Sequence, residues 1–228
     1  MIERKQKQLF ALFATRLFEW FSSNARSFPW RETRNPYKIL VAEIMLQKTT
    51  SKQAEETFHI FFKHFPSIQD LAMAPLERIE EYITPLGLEH IRAARLKKLA
   101  QEIVEKYEGQ IPRDKKTLLS LPGVGEYIAN AVLCLAYDED LPLLDTNQLR
   151  VFDRVFDIKS SKKRARTDKA IWKFAENIIP KGKGKDFNLG ILDFASLVCR
   201  ARDPKCESCP MNSFCRYFAE HMPCARRF

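Results

Sequence analysis

Four cysteines near the carboxyl end of the chain are spaced so that they could hold one metal centre. They follow the pattern C-x6-C-x2-C-x5-C and are Cys199, Cys206, Cys209 and Cys215. Thiolates separated by so few residues can surround a zinc ion or an iron–sulfur cluster, and the spacing alone leaves both open. Of the two other cysteines, Cys134 stands in an apolar helical stretch that predicts a buried thiol, and Cys224 has no evident role.

An acidic residue lies in an apolar stretch where its carboxylate could do chemistry. Glu43 belongs to the segment ILVAEIMLQ, with apolar neighbours on both sides. A buried acid needs a partner or has a raised pKa, and it suits proton donation or hydrogen bonding in a closed pocket. The alternative is an acid of the core that is paired with a buried cation or with the backbone.

A second acid, Asp145, stands at the start of a predicted helix. In the segment LDTNQLRVF the helix would begin directly after Asp145, whose side chain would then cap it. An aspartate at a helix start stays ionised, so capping and catalysis by Asp145 are compatible.

A short glycine-containing turn separates two predicted helices in the middle of the chain. The turn LPGVG contains Gly123, Val124 and Gly125, and it lies between a helix ending near Ser120 and one over 126–137. Glycines permit positive φ and close approach of another backbone, and the free N–H groups of the second helix suit a phosphate oxygen. Because no base edge would be read, this helix-hairpin-helix predicts sequence-independent binding of the DNA backbone. An ordinary corner between two helices is the alternative.

Helices must position these residues, because apolar residues recur with a period of about 3.6 along most of the chain. The stretch 37–50 is apolar almost all round and predicts a buried helix that carries Glu43. Further helices are predicted over 3–24, 51–64, 67–72, 75–84, 89–108, 126–137, 147–157, 167–179 and 187–198, with a loop-like tail from Cys199. The fold class is therefore all-α.

The chain carries a formal net charge of +9, which favours a polyanionic partner, although a merely soluble basic protein would have the same composition. The basic runs 159–166 and 181–185 are expected to be exposed loops, with phosphate contact as the alternative. No apolar run approaches the length of a membrane span, and the amino terminus has no signal-peptide core. We therefore expect an intracellular, reducing compartment, in which cysteines serve as ligands rather than disulfides.

The segment LPGVGEYIANAV, followed by LLDTNQLRV, resembles the helix-hairpin-helix DNA glycosylases that include endonuclease III and the adenine mismatch glycosylases. The similarity runs from about Phe28 to Phe218. It implies a substrate of double-stranded DNA with a mismatched or damaged base, which is flipped out of the duplex before it reacts. It also implies a [4Fe–4S] cluster on the four cysteines with a mainly structural role, and a monomeric protein of the cytoplasm that associates with the nucleoid.

The resemblance implies catalytic roles for three residues. Cleavage of a nucleoside's glycosidic bond passes through an oxocarbenium-like sugar, which the Asp145 carboxylate would stabilise while it orients or deprotonates water. Glu43 matches a glutamate of the adenine glycosylases, which have SEVMLQQT where this chain has AEIMLQKT. Tyr127 stands where bifunctional members have a lysine that forms a Schiff base. Since tyrosine cannot form that imine, we expect hydrolysis without strand cleavage and a base pocket lined by Tyr127; a plain core tyrosine is the alternative.

The resemblance also implies residues that fill the gap left by a flipped base. The loop after the Glu43 helix contributes a wedge in this family, and the matching residues are Gln47 and Lys48. A second wedge comes from a Gly-Leu turn, here PLGLEHIRAARL with Leu88 as the apolar wedge. The alternatives are a solvated lysine and a simple core leucine.

Within the family the sequence is most similar to the monofunctional G·T mismatch thymine glycosylases, which also have a tyrosine at the position of Tyr127 and a cation near Lys48. We therefore expect removal of thymine or uracil mispaired with guanine. Adenine glycosylases that read 8-oxoguanine use an extra carboxyl-terminal domain, which this sequence, ending soon after Cys215, is expected to lack. Adenine removal opposite 8-oxoguanine or guanine is the alternative, and a non-catalytic DNA-binding module is disfavoured by the two acids. The sequence does not rank thymine against uracil, because fit of one methyl group is worth only about 1–3 kcal/mol.

The expected architecture is two helical lobes with a DNA-binding cleft between them. Residues 28–140 would form a six-helix lobe that contains the hairpin. Residues 1–27 and 141–228 would form the lobe of the iron–sulfur cluster. Asp145 is then expected at the junction, facing Glu43 and Tyr127.

Overall fold

The computed structural model describes residues 2–221, and within that range it contains α-helices and two short 3-10 turns but no strand. This agrees with the predicted all-α class. None of the helices in the described range is long and apolar enough to cross a membrane. Cys224 lies outside the described residues.

The α-helices follow one another along the whole described chain. They are α1 (Ile2–Asn24), α2 (Pro29–Glu32), α3 (Pro36–Met45), α4 (Ser51–His64), α5 (Ile68–Met73), α6 (Leu76–Ile83), α7 (Glu89–Tyr107), α8 (Lys115–Ser120), α9 (Glu126–Tyr137), α10 (Thr146–Phe156), α11 (Lys169–Ile178), α12 (Gly184–Leu197) and α13 (Arg216–His221). The 3-10 turns are Thr84–Leu86 and Ala165–Thr167.

The chain divides into two compact units. We call Ser27–Asp138 the hairpin unit, and we call the residues up to Arg26 together with those from Glu139 onward the cysteine unit. The hairpin unit, all of which is described, contains eight α-helices rather than six. Short helices such as α2 have a single turn, which is too short for a 3.6-residue period to be visible in the sequence.

The core of the hairpin unit is built on α3 and α9, which pack against each other. Asn35 begins α3, because its Oδ1 accepts hydrogen bonds from the backbone N–H groups of Tyr37 and Lys38. Apart from Lys38, every residue from Tyr37 to Met45 is buried. Around this pair, α7 packs against both α5 and α6. α3 is therefore apolar on almost all sides because it lies in the core of the hairpin unit.

The predicted helix over 37–50 ends earlier than expected. α3 stops at Met45, and α4 begins with a capping box in which the Thr50 hydroxyl and the Gln53 side chain bind each other's backbone. Residues 46–50 therefore form a loop, in which Lys48 adopts a left-handed conformation with φ of 56°. The cap at Thr50 is a stronger local signal than the apolar pattern that precedes it.

The core of the cysteine unit is formed by α1, α10 and α12, with α12 packing against both other helices. Edge-to-face phenylalanine pairs fill it, including Phe13 with Phe187 at 6.0 Å between ring centroids. Gly190 allows α1 to come close, because a Cβ at this position would lie 3.3 Å from Cγ of Leu17. α13, which lies in the predicted loop-like tail, packs against α10.

Candidate functional site

The Asp145 carboxylate is held by three hydrogen bonds at the start of α10. Its Oδ1 accepts from the backbone N–H groups of Asn147 and Gln148, both at 2.8 Å, and its Oδ2 accepts from Asn147 Nδ2 at 2.7 Å. The side chain is half-buried. Burial raises the pKa of Asp145, while these hydrogen bonds and the nearby charge of Arg150 act in the opposite direction. The predicted helix cap is confirmed, and the carboxylate has a fixed orientation.

A continuous series of hydrogen bonds links Asp145 to the first cysteine of the four-cysteine segment. Asn147 donates to Asp145 and accepts, through Oδ1, from Arg150 Nη2 at 3.0 Å. Arg150 Nε donates to the carbonyl oxygen of Cys199 at 2.9 Å, and its Nη2 to that of Ala195 at 2.9 Å. The orientation of the carboxylate therefore depends on the backbone that carries Cys199.

A buried polar side chain on α12 fixes the connector that leads to Asp145. Asn188 Oδ1 accepts from the backbone N–H of Leu143 at 2.9 Å and from Gln148 Nε2 at 2.8 Å. The Asn188 amide nitrogen donates to the carbonyl of Leu141 at 2.9 Å. Asn188, Asn147 and Arg150 were not foreseen from the sequence. Of these three, only Asn147 could have been recognised locally, because it follows by two residues an aspartate at a helix start and can donate to that carboxylate.

Glu43 and Tyr127 both belong to the hairpin unit, whereas Asp145 belongs to the cysteine unit. Glu43 lies on α3 and is buried, with 7% of its surface exposed. Tyr127 lies in the first turn of α9 and is half-buried. Since α3 packs against α9, the structure brings the helices of these two residues together. The predicted burial of Glu43 is confirmed, and the chemical roles of the two residues stay predictions.

The glycine turn joins α8 to α9 as the sequence predicts. Gly123 has φ of +79°, and a Cβ there would lie 2.3 Å from Cδ of Arg95. Gly125, the residue before α9, has no side chain that could cap the helix. The first backbone N–H groups of α9 therefore donate no hydrogen bond to a side chain at that position. Val124 is buried while both glycines are exposed. The turn therefore presents backbone to solvent, and glycine is required at Gly123 by both conformation and space.

The three wedge candidates lie on two loops of the hairpin unit. Lys48 is exposed, and Gln47 is half-buried with its Oε1 accepting from Arg95 Nη1 at 3.0 Å. Leu88 is 55% exposed and caps the start of α7 with φ of 56°. The alternative of a core leucine is therefore wrong for Leu88, and Leu86 is the residue of this turn that packs inward. Arg95 contacts both the Gln47 loop and the glycine turn.

The four predicted metal ligands line one cavity in the cysteine unit. Its volume is about 330 Å³ with the open mouth included, and Arg154, Tyr217 and Phe218 also line it. Arg154 Nη1 approaches Cys199 Sγ at 3.6 Å, and the backbone N–H of Met211 approaches Cys209 Sγ at 3.4 Å. Across residues 2–221, no three histidine, cysteine or carboxylate side chains are arranged to hold one metal ion. All four cysteines nonetheless line the same cavity.

The pocket favours the neutral thiol forms of these cysteines. Burial raises the pKa of Cys209 to about 12, and burial likewise raises the pKa values of Cys206 and Cys215. The neighbouring cysteines add to these shifts. A bound metal centre would offset this cost and favour the thiolate forms. Cys134, in contrast, is fully buried in α9, as expected.

The run 159–166 is largely exposed, as the sequence predicts. In the run 181–185 the first three residues are exposed, but Gly184 is buried and begins α12, so the predicted loop is wrong there. The first run is tied to the start of α11, because Asp168 Oδ2 accepts from Ser160 Oγ at 2.8 Å. The second is tied to the connector before Asp145, because Asp140 accepts from the backbone N–H of Gly184 at 2.8 Å. Whether either run contacts phosphates stays a prediction.

Comparisons with known proteins agree with this arrangement. Residues 41–177 match the family model of the HhH-GPD superfamily base excision DNA repair proteins, and residues 199–215 match the iron–sulfur binding domain of endonuclease III. A thymine/uracil-DNA glycosylase of Pyrobaculum aerophilum is 44% identical over 210 residues, covering 90% of this chain and 91% of that one. The solved structure of a thermostable thymine-DNA glycosylase superposes with a TM-score of 0.90 at 37% identity, covering 94% of this chain and 99% of that one. An adenine DNA glycosylase of Mus musculus is 32% identical over 215 residues, covering 90% of this chain but 42% of that protein.

Proposed function

The chain belongs to the HhH-GPD superfamily of base excision DNA repair proteins, and we propose that it is a monofunctional DNA glycosylase that removes thymine or uracil mispaired with guanine. The observation that carries the chemistry is the Asp145 carboxylate, half-buried and oriented by three hydrogen bonds. The choice of base rests on the identity of 44% to a thymine/uracil-DNA glycosylase over nearly the whole of both chains, against 32% to an adenine glycosylase.

The proposed reaction is hydrolysis of the bond between C1′ and the base. As the bond lengthens, positive charge develops on the deoxyribose, and the Asp145 carboxylate stabilises it. A water molecule adds to C1′ and gives up a proton, for which Asp145 is the acceptor. The base leaves with the electron pair of the broken bond and takes up a proton. The products are a free base and an abasic site in an intact strand.

Two residues of the hairpin unit act on the base in this proposal. Glu43 donates a hydrogen bond or a proton to the departing base, which suits a carboxyl group in a buried position. Tyr127 lines the base pocket with its ring and hydroxyl. Because tyrosine has no amine, the enzyme forms no Schiff base with the sugar and makes no strand break.

DNA binding in this proposal is shared among the glycine turn and two loops of the hairpin unit. The glycine turn with Gly123, Val124 and Gly125 binds phosphate oxygens through backbone N–H groups of the turn and of the first turn of α9. The N–H of Val124 is not among these donors, because it donates to the carbonyl of Leu121 at 3.2 Å. Gln47, Lys48 and Leu88 fill the space that the flipped nucleotide leaves. The protein acts as a monomer on chromosomal DNA in this account.

The four cysteines hold a [4Fe–4S] cluster in this proposal, since four thiols surround one cavity and match an iron–sulfur binding domain. The cluster supplies no step of the reaction. Its ligands fix the segment 199–215 and, through the carbonyl of Cys199, the side chain of Arg150. A brown colour and visible absorbance of the purified protein would separate an iron–sulfur cluster from zinc.

The test uses duplexes that carry a G·T, G·U, G·A or 8-oxoguanine·A pair, incubated with the protein and developed with and without alkali. We expect base release from G·T and G·U, with strand breaks only after alkali and no adduct trapped by borohydride. Asp145→Asn should bind mismatched DNA but turn over far more slowly. Asp153→Asn, the same change on the same helix, serves as the control. Release of adenine alone would support the alternative substrate, and strand breaks without alkali would exclude the monofunctional reaction.

A further inference from the structure

One arginine of α7 binds the backbone of both loops that carry the wedge candidates. Arg92 is buried, with 5% of its surface exposed. Its Nη1 donates to the carbonyl oxygens of Ile44 and Met45 at the end of α3. Its Nη2 donates to the carbonyl of Gln47 at 3.1 Å. On the other side, its Nε donates to the carbonyl of Gly87 at 3.4 Å.

Among residues 2–221, no acid forms an ion pair with Arg92. Every hydrogen-bond partner that the structure gives it is a neutral oxygen, either a backbone carbonyl or the hydroxyl of Thr49 at 3.2 Å. Burial and the neighbouring Arg95 lower the pKa of Arg92. The favourable charge interaction is with the carbonyl end of the α3 dipole. Burying a cation without a counter-ion costs free energy, which the hydrogen bonds to the carbonyls and to the Thr49 hydroxyl offset.

The imposed geometry concerns the two wedge residues directly. Gln47, whose carbonyl Arg92 binds, immediately precedes Lys48, and Gly87, whose carbonyl it also binds, immediately precedes Leu88. Lys48 and Leu88 each have φ of 56°, a left-handed conformation that costs a residue with a side chain about 1 kcal/mol or more. Such conformations persist only where the surroundings hold them. Both side chains are exposed and free to contact DNA.

The two loops are also joined beside Arg92. The Thr49 hydroxyl lies 3.3 Å from the carbonyl oxygen of Leu86, and Gln53 Nε2 donates to the carbonyl of Pro85 at 3.2 Å. Thr49 therefore belongs to the same hydrogen-bond network as Arg92, and a substitution at Thr49 should also weaken this network.

We propose that Arg92 is a positioning residue that sets the distance and backbone conformation of Lys48 and Leu88, so that the two side chains enter the duplex together when a base is flipped out. This inference rests on the proposed function, which makes Lys48 and Leu88 the wedges. Arg92 acts before the glycosidic bond breaks and touches neither base nor sugar. Its removal affects extrusion of a paired base more than it affects hydrolysis of a base that is already unpaired.

The test compares Arg92→Lys with wild type and with Arg78→Lys, the same change at an exposed position of the hairpin unit. A lysine keeps the charge but cannot bind carbonyls on both loops at once. Single-turnover rates are measured on a G·U duplex and on a duplex in which the uracil faces an abasic analogue. Base extrusion is followed separately by the fluorescence of 2-aminopurine placed beside the G·U pair. Leu88→Ala is added in both backgrounds, and thermal unfolding shows that each variant is folded.

We expect Arg92→Lys to reduce the fluorescence rise and to slow the G·U reaction about 10- to 100-fold, as a small misplacement of a positioning group does. The unpaired uracil should be released at nearly the wild-type rate. Leu88→Ala should have much less effect in the Arg92→Lys background than alone, because the two residues act as one unit. If Arg92→Lys does not fold, Thr49→Val, which keeps the shape and removes the hydroxyl, should shift the same quantities in the same direction by less.

Two results would overturn the inference. One is that Arg92→Lys and Arg78→Lys give the same fluorescence rise and the same rate on the G·U duplex. The other is equal slowing on paired and unpaired uracil with an undiminished effect of Leu88→Ala, which would make Arg92 a support of the core alone. If wild type releases neither uracil nor thymine, the proposed function fails, and the 2-aminopurine comparison still decides the role of Arg92.

Discussion

The hydrogen bond from Asn147 to Asp145 should set the pH at which the enzyme becomes active. Asn147→Ala removes the 2.7 Å bond to Oδ2 while the two backbone bonds to Oδ1 remain. A hydrogen bond to a charged group contributes about 1.5–3 kcal/mol. Because the hydrogen bond stabilises the charged form, its loss should raise the pKa of Asp145.

The sign of the effect follows from the reactive form of Asp145. The hydrogen bond stabilises the carboxylate, so its removal favours the protonated acid, whose pKa burial already raises. Because the carboxylate is the form that stabilises the sugar cation, activity is lost as pH falls through this pKa. The acid limb of the rate profile should therefore move to higher pH in Asn147→Ala.

The assay is the single-turnover rate on a G·U duplex across the acid range, under conditions in which binding is saturated. Asn24→Ala is the control, because the Asn24 amide is exposed and donates to the carbonyl of Trp20 on its own helix, α1. An acid limb that stays in place or moves to lower pH would refute the reasoning. A rate lowered equally at every pH would mean that Asn147 aligns the carboxylate without affecting its pKa.

Three further changes test other parts of the molecule. Gly123→Ala should weaken DNA binding, measured by anisotropy, and lower the melting temperature. Both effects should exceed those of Gly182→Ala, because both glycines have positive φ but a Cβ would meet Arg95 only at Gly123. Equal effects of the two substitutions would refute this. Tyr127→Lys should form an adduct that borohydride traps, unlike wild type, and its absence would argue against Tyr127 facing the sugar. Cys206→Ser should reduce visible absorbance and lower the melting temperature by loosening the segment 199–215, whereas unchanged absorbance would remove Cys206 from the ligand set.

Much of the local structure follows from short-range signals in the sequence. The capping box of Thr50 and Gln53 marks the start of α4, and Asp145 marks the start of α10. These signals involve residues within one helical turn, so their physical cause is present in the sequence itself. Ends without such a signal are predicted less well, as with α3, which stops at Met45 although the apolar pattern continues.

The candidate site was predicted in part. Glu43, the glycine turn and the four cysteines are recognisable because burial pattern, turn chemistry and spacing are local properties. The exposure of Leu88 and the burial of Leu86 are not distinguishable in this way, since both are leucines two positions apart in one turn. Only the packing of that turn on its neighbours decides which one faces solvent.

The sequence by itself determined that the chain is helical, where most helices lie, and which residue types could bind DNA, hold a metal centre and stabilise a sugar cation. Only the tertiary structure decided how those residues are held. Arg92 reaches carbonyls 45 to 48 residues away, and Arg150 reaches Cys199 across 49 positions. Backbone carbonyls are identical at every position of the sequence, so no residue type marks which of them an arginine will bind. That choice is made when the helices pack.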